Sequence, residues 1–269
     1  MKIIIFGSNG MLGNYLTTYL GKKYNILALT RKDIDLSTAD ESTIIRFLTN
    51  NVSKNDVIIN ACGVIKQREY NLIDMIKVNS VFPHILAKAK KDIGCNVIHV
   101  TTDCVFKGYG GSYLEHDKHD CLDDYGKSKS LGENPTLTTI RTSIIGEEKN
   151  NKKSLLEWII SNKNNTVDGY DNHLWNGITC LEFSKIVDRI VSNNMYWHGT
   201  KHLFSPTIVS KYELVKMINE IYNLNITINK KTTDINCFRN LSTMGDNLID
   251  KELYDQILEL KEFKLNDNN

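Results

Sequence analysis

At 269 residues the chain has room for one large domain or two smaller ones, at roughly 150 residues per domain. Its composition, 41% hydrophobic and 24% charged, is that of an ordinary globular protein with ample core. A formal net charge of +1 gives no electrostatic case for nucleic acid or an anionic membrane as the main partner. No apolar run approaches the ~20 residues of a membrane span, and Met1 leads directly into a strand pattern rather than a secretory leader. The six cysteines are scattered, with no Cys-x-x-Cys pair, so a reduced, cytoplasmic compartment is expected, with neither a disulfide framework nor a metal site.

The first element is the most informative. Ile3 to Phe6 reads as a short buried strand; Gly7, Gly10 and Gly13 come next at three-residue spacing, and an amphipathic segment then begins with Leu12, Tyr15, Leu16, Tyr19 and Leu20. Strand, glycine turn and helix in that order aim unpaired backbone N–H groups and the positive end of a helix dipole at one point, which suits a dinucleotide pyrophosphate. Gly7, Ser8, Asn9, Gly10, Met11 and Leu12 are therefore expected to bind the cofactor. A second strand, Tyr24 to Thr30, ends where such a fold reads the adenosine ribose. No acid stands there; Thr30 is followed by Arg31 and Lys32, which favours the 2′-phosphate of NADP(H), with NAD(H) left open. Asp35 and Leu36 open the next connection, within reach of the adenine.

A helix at Thr43 to Leu48, a strand at Asp56 to Ala61, a long helix at Leu72 to Lys91, a strand at Asn96 to Val100, a helix at Tyr125 to Glu133 and a strand at Leu137 to Arg141 continue the alternation. This is the pattern of an α/β, Rossmann-type doubly wound parallel sheet. Ligands in such sheets sit at the carboxyl ends of the strands, which brings in Ala61, Cys62 and Gly63 for the cofactor. From about Gly146 the rhythm changes: helices at Ser154 to Ser161, Leu181 to Val191, Ser210 to Tyr222 and Lys251 to Leu260, with strands at Lys201 to Phe204 and Asn225 to Asn229. The expected division is a dinucleotide-binding domain, 1–145, and a smaller α/β substrate-binding domain, 146–269, some of whose segments return to the first. The tail 266–269 is expected to be loose.

Tyr-x-x-x-Lys occurs three times, at Tyr19/Lys23, Tyr125/Lys129 and Tyr212/Lys216, so spacing alone proves nothing. Only Tyr125/Lys129 sits on the helix after the fourth strand, whose end carries Thr101-Thr102-Asp103-Cys104. A four-residue offset places phenol and ammonium on one helix face, where the ammonium would lower the tyrosine pKa towards working pH. Tyr125 could then act as general acid to a carbonyl oxygen receiving hydride, with Lys129 on the nicotinamide ribose and Thr102 orienting the same oxygen.

The glycine turn, Val78-Asn79, Thr101 to Gly108, Tyr125-Gly126-Lys127-Ser128-Lys129 and Arg141-Thr142-Ser143 together resemble the extended short-chain dehydrogenase/reductases, most closely the dTDP-4-dehydrorhamnose reductase branch. Ser154 to Trp158, Gly177 to Glu182 and Ser210 to Leu214 are similar to that branch too. The resemblance implies NADPH- or NADH-dependent reduction of the C4 ketone of a nucleotide-linked 4-keto-6-deoxyhexose, with Thr102, Tyr125 and Lys129 catalytic and the glycine loop with Arg31 on the cofactor. Cys104 stands where the rhamnose enzymes carry Tyr; it resembles the cysteine of bifunctional epimerase/reductases, and reads either as a proton-exchanging group or as a small buried hydrophobe. A cofactor-binding regulatory subunit without turnover is a third reading.

The substrate pocket is less legible. Lys66 and Gln67 reach substrate or are solvated loop residues. His173 and Trp175 lie in a polar loop expected before a helix, where the indole could stack on a pyrimidine or serve as core. Trp158 could cover the sugar or fill a domain interface, and Arg239 could meet the diphosphate or be solvated. His84, His99, His116 and His119 form no metal-binding constellation. UDP against dTDP, hydroxyl against acetamido at C2, and a homodimer against a monomer stay open.

Overall fold

The computed structural model describes residues 1–66, 71–150 and 152–265; Gln67 and the tail 266–269 lie outside them. The opening strand β1 (Lys2–Phe6) is flanked by β2 (Asn25–Leu29) on one side and β3 (Val57–Asn60) on the other, then β4 (Asn96–Thr102), β5 (Thr138–Thr142) and β10 (Gly199–His202). All pairs in this six-stranded sheet are parallel. Along β1, Ile3 and Ile5 enter one core and Ile4 and Phe6 another, because successive strand residues face opposite sides. Helices α1 (Met11–Leu20) and α7 (Cys180–Ser192) cover the first face; α2 (Glu41–Asn51) and α4 (Phe82–Ile93) cover the second. A strand buried on both faces has no polar side to show, hence its continuous β-branched run. The fold is the doubly wound α/β type that the alternation implied.

The edge strand β10 and helix α7 come from the later half of the chain, yet complete the first sheet and its cover. What remains of that half is built from short pieces: β8 (His173–Trp175) between β11 (Val209–Ser210) and β13 (Cys237–Phe238), β7 (Thr166–Tyr170) with β12 (Thr227–Lys231), and β6 (Ile144–Ile145) with β9 (Ile178–Thr179). Helices α6 (Leu155–Ser161), α8 (Lys211–Tyr222) and α9 (Leu253–Glu262) pack around them. Two expectations need correction. His173 and Trp175 stand on a strand, not in a polar loop before a helix, because β8 is stabilised by pairing with segments about 35 and 64 residues away, beyond the reach of local pattern. The long helix expected over 72–91 is three pieces: α3 (Leu72–Ile76), a π-helical turn (Lys77–Val81) and α4. Pro83 has no N–H to offer the Asn79 carbonyl four residues back, and the ladder loosens there. Among the described residues no helix is long and apolar enough to cross a membrane.

Beneath the far end of β5, the buried guanidinium of Arg141 pairs with Glu133 through Nε–Oε1 (3.0 Å) and Nη2–Oε2 (2.6 Å) and donates to the Nε2 atoms of His202 and His119, each at 2.7 Å. His202 donates from Nδ1 to the Ser242 carbonyl (2.7 Å), so its Nε2 must accept and the ring must be neutral. Burial, then the Arg141 charge, hold His202 down at about 4. Unfolded, the same ring titrates near 6.5, so the unfolded chain takes up the proton first and stability falls as pH drops from about 6.5 towards 4. At about 1.4 kcal/mol per pKa unit, the loss attributable to this ring approaches ~3 kcal/mol. Urea unfolding at pH 7 and pH 5 should show a smaller pH-dependent loss in His202→Gln than in the parent; equal losses would contradict the assignment.

Candidate active site

In the chain's strand order the path reverses between β1 and β3, where parallel sheets open a crevice beyond their carboxyl ends. A cavity of about 490 Å³ lies there. Gly10, Met11 and Leu12 line it from the opening turn, Ala61, Cys62 and Gly63 from the end of β3, and Thr102 and Cys104 from the end of β4. Tyr125 and Lys129 enter from α5 (Asp124–Leu131), and Lys66, Trp175, Lys211 and Arg239 close the far side.

The opening turn is shaped by its glycines. Gly7 takes φ +79°, and a Cβ on Gly13 would lie 2.0 Å from the Gly7 carbonyl oxygen, so α1 can approach β1 this closely only without side chains at these places. Gly10, the residue that caps α1, offers no side-chain oxygen, and the first turn carries no acid. The helix therefore presents its uncapped positive end to the cavity, the arrangement that accepts a phosphate. Ser8 is buried and turned away, its hydroxyl on the Leu29 carbonyl (3.0 Å), and Asn9 is exposed. Neither lines the cavity.

Thr102 is the last residue of β4, two beyond where the apolar run predicted the strand to end. It caps a 3-10 turn (Asp103–Val105): its Oγ1 accepts from the Cys104 amide and donates to Asp103 Oδ1, both at 3.1 Å. Asp123 caps α5, accepting from the Gly126 amide at 2.9 Å, and forms an ion pair with Lys66 at 2.9 Å. Buried Asn79 ties the helix to the loop after β3, bonding the Val64 amide (2.9 Å) and carbonyl (3.0 Å) and the Ser128 hydroxyl (3.0 Å). Lys129 donates to the carbonyls of Cys62 (3.2 Å) and Val100 (3.4 Å), and burial lowers its ammonium to about 8.

The tyrosine's titration is the reverse of the expectation. Burial and then the Cys104 sulfur push the Tyr125 phenol up, against a hydrogen bond with Thr102 that pulls it down. Desolvation of the buried phenol is the largest effect on it. Tyr125 is thus a protonated phenol at neutral pH. Cys104 is likewise raised, to about 12, by burial and by Asp103, although the Arg239 Nη1 atom lies 3.7 Å from its sulfur.

Other expected residues lie elsewhere. Arg31 is exposed beyond β2 in a 3.8 Å ion pair with Asp35, whose carboxylate is held by the Ser37 amide and hydroxyl. Leu36 is 7% exposed and packs in the core against α2 and α4. Trp158 is 43% exposed on α6 and lines no cavity with the others. Trp175 does both things expected of it, its body buried in the core and one side on the cavity. His173 lines a second cavity of about 580 Å³, with Tyr170, whose ring centroid is 4.9 Å away; Asp123 and Arg239 line both cavities. Asp103, Asn79 and Lys211 were missed as site residues. Only Lys211 left a signal, a cation in the first turn of a helix, where the dipole disfavours it.

Gly13→Ala drives a methyl into the Gly7 carbonyl and should shift the turn. Overpacking of this kind costs about 1–3 kcal/mol, so a lower melting temperature and weakened NADP(H) binding by fluorescence titration are expected; parent-like values for both would contradict the packing role.

The family model described as the RmlD substrate binding domain matches residues 1–233. A dTDP-4-dehydrorhamnose reductase of Aggregatibacter actinomycetemcomitans is 29% identical over 227 residues, 79% of this chain and 76% of the relative. Among solved structures, a dTDP-4-dehydrorhamnose reductase of Clostridium acetobutylicum superposes with a TM-score of 0.81 at 21% identity, covering 97% of this chain and 99% of that one. Another from Bacillus anthracis, in complex with NADP, gives a TM-score of 0.79 at 20% identity over 96% and 97% of the two chains. The chain belongs to the RmlD family of dTDP-4-dehydrorhamnose reductase-like oxidoreductases.

Proposed function

We propose that this protein reduces the C4 ketone of a nucleoside-diphosphate 4-keto-6-deoxyhexose with NADPH as the preferred reductant. The observation that carries the reading is that Thr102, Tyr125 and Lys129 line one cavity with the uncapped end of α1. Bound NADPH supplies the hydride. Gly10, Met11 and Leu12 would receive its pyrophosphate, Lys129 the nicotinamide ribose, and Arg31 the 2′-phosphate. Thr102 orients the ketone through its hydroxyl, and the protonated Tyr125 gives its proton to the oxygen as charge develops there. The phenol is protonated at neutral pH, as a group that must be a donor at the start requires. The part of the chain from 146 onwards, less β10 and α7, serves as the substrate cover.

Tyr125→Phe should lower kcat about 10²–10⁴-fold with NADPH and dTDP-4-keto-6-deoxyglucose or its UDP-2-acetamido counterpart, while NADPH binding persists. Full activity in that variant would overturn the assignment. A second reading, epimerisation at C3 or C5 by Cys104, is favoured by the placement of its thiol on the cavity wall, though a thiol raised to about 12 is a poor base. Incubating substrate with the protein in heavy water, without reduced cofactor, should leave the ring carbons free of deuterium; incorporation that disappears in Cys104→Ala would establish the epimerase.

A further inference from the structure

Lys211 is the first residue of α8, and its backbone is locked. Ser210 ends β11 opposite Leu174 and closes a capping box with Glu213, accepting from the Glu213 amide at 3.1 Å while Glu213 Oε2 accepts from the Ser210 amide at 2.7 Å. From there the side chain crosses the indole of Trp175, with its ammonium 4.7 Å from the ring centroid, and reaches the wall of the catalytic cavity. Asp103 and Cys104 face it from the turn after β4, Cys237 and Arg239 from β13 and the residue beyond it, and His173 from β8.

Three other cations around this wall are engaged: Lys66 with Asp123, Lys129 with two carbonyls, and Arg239 through Nε with the Phe106 carbonyl at 3.0 Å; Lys153 also lines the cavity but is exposed to solvent. Among the described residues, none hydrogen-bonds or ion-pairs with the Lys211 ammonium. Lys211 is half-buried, so its ammonium is partly withdrawn from water with no acceptor among those residues, a cost that the face of Trp175 offsets only in part. Two cations here meet one buried carboxylate, Asp103, whose own ionisation burial opposes. A neutral hydroxyl would leave the charge uncompensated; an anion would not.

We propose that Lys211, together with Arg239, holds the diphosphate of the substrate and is the residue that distinguishes a nucleoside diphosphate from a nucleoside. The inference rests on the sugar-nucleotide reading above and adds a location to it. Arg239 lines both cavities, so a ligand with its ketone at Tyr125 and its base beside Tyr170 and His173 must carry its diphosphate past these two side chains. Burial brings Lys211 to about 8, so the wall loses positive charge, and grip on the diphosphate, as pH rises through that value.

The test is calorimetric titration of dTDP, UDP and thymidine into the NADP-loaded protein. Lys211→Met should weaken the tighter-binding of the two diphosphates about 10–100-fold, the value of one charge-assisted hydrogen bond, and leave thymidine unchanged. Lys211→Arg should stay within a few-fold of the parent. Between pH 7 and pH 9 the parent's diphosphate affinity should fall more steeply than that of Lys211→Arg, in which Lys129 still titrates on the same wall. Diphosphate binding unaltered in Lys211→Met, or thymidine weakened as much as the diphosphate, overturns the proposal alone if the parent still reduces a 4-keto sugar nucleotide. A parent that binds neither diphosphate and reduces no such substrate overturns both this proposal and the reading beneath it.

Discussion

Everything at the site depends on one constraint, the parallel register of β1, β3, β4 and β5. Phe6 stands beside Asn60, Asn60 beside His99, and Thr102 beside Thr142. All four strands turn their carboxyl ends to one edge, with β4 and β5 running three residues beyond β1 and β3, and the segments that leave them open onto the same space: the glycine turn, Ala61–Gly63, Thr102–Cys104 and the approach to β6. Parallel strands need crossovers long enough to hold a helix. One of those helices, α5, carries the phenol and the ammonium back across the opening. The geometry is held by burial rather than by local bonds. Each core isoleucine of β1 contributes about 1.5–3 kcal/mol relative to exposure, and a shift of one residue in register would exchange its two faces.

Burial also sets the chemistry of the cavity. It raises Tyr125 and Cys104 and lowers Lys129 and Lys211, in each case penalising the charged form. The consequence is that Tyr125 and Cys104 keep their protons, whereas Asp123 on the same wall is held ionised beside Lys66; a protonated phenol fits a site proposed to donate a proton during ketone reduction. It also separates two adjacent side chains by role. Tyr125 keeps the proton that the proposed reduction asks it to donate, whereas Cys104, two residues from Thr102, is left without a group strong enough to ionise it. Arg239 lies beside its sulfur, but desolvation is the larger effect.

The first half of the chain was legible because its signals are local. A buried strand, three glycines and an amphipathic helix fall within the first twenty residues, and the alternation beyond them needs no long-range knowledge. Thr102, Tyr125 and Lys129 could be read as a set because each sits on an element whose position in a doubly wound sheet is fixed by topology. The later half was not legible in the same way. β8 has three residues and takes its partners from distant segments, so His173 and Trp175 read as loop. Lys211 stands out locally only as a cation in the first turn of a helix, and nothing in Ser210-Lys-Tyr-Glu213 says that an indole and a carboxylate wait opposite. The direction of the Tyr125 shift was misread for a related reason: spacing on a helix reports which groups share a face, not how deeply the fold buries the phenol.

The central claim is that this cavity delivers hydride to a sugar ketone. The most direct measurement is turnover with NADPH carrying deuterium in the transferable position at C4 of the nicotinamide, with NMR of the product. One deuterium per molecule, at C4 of the hexose ring, is expected. Cofactor oxidation with no deuterium in the sugar, or with deuterium at another carbon, would contradict it.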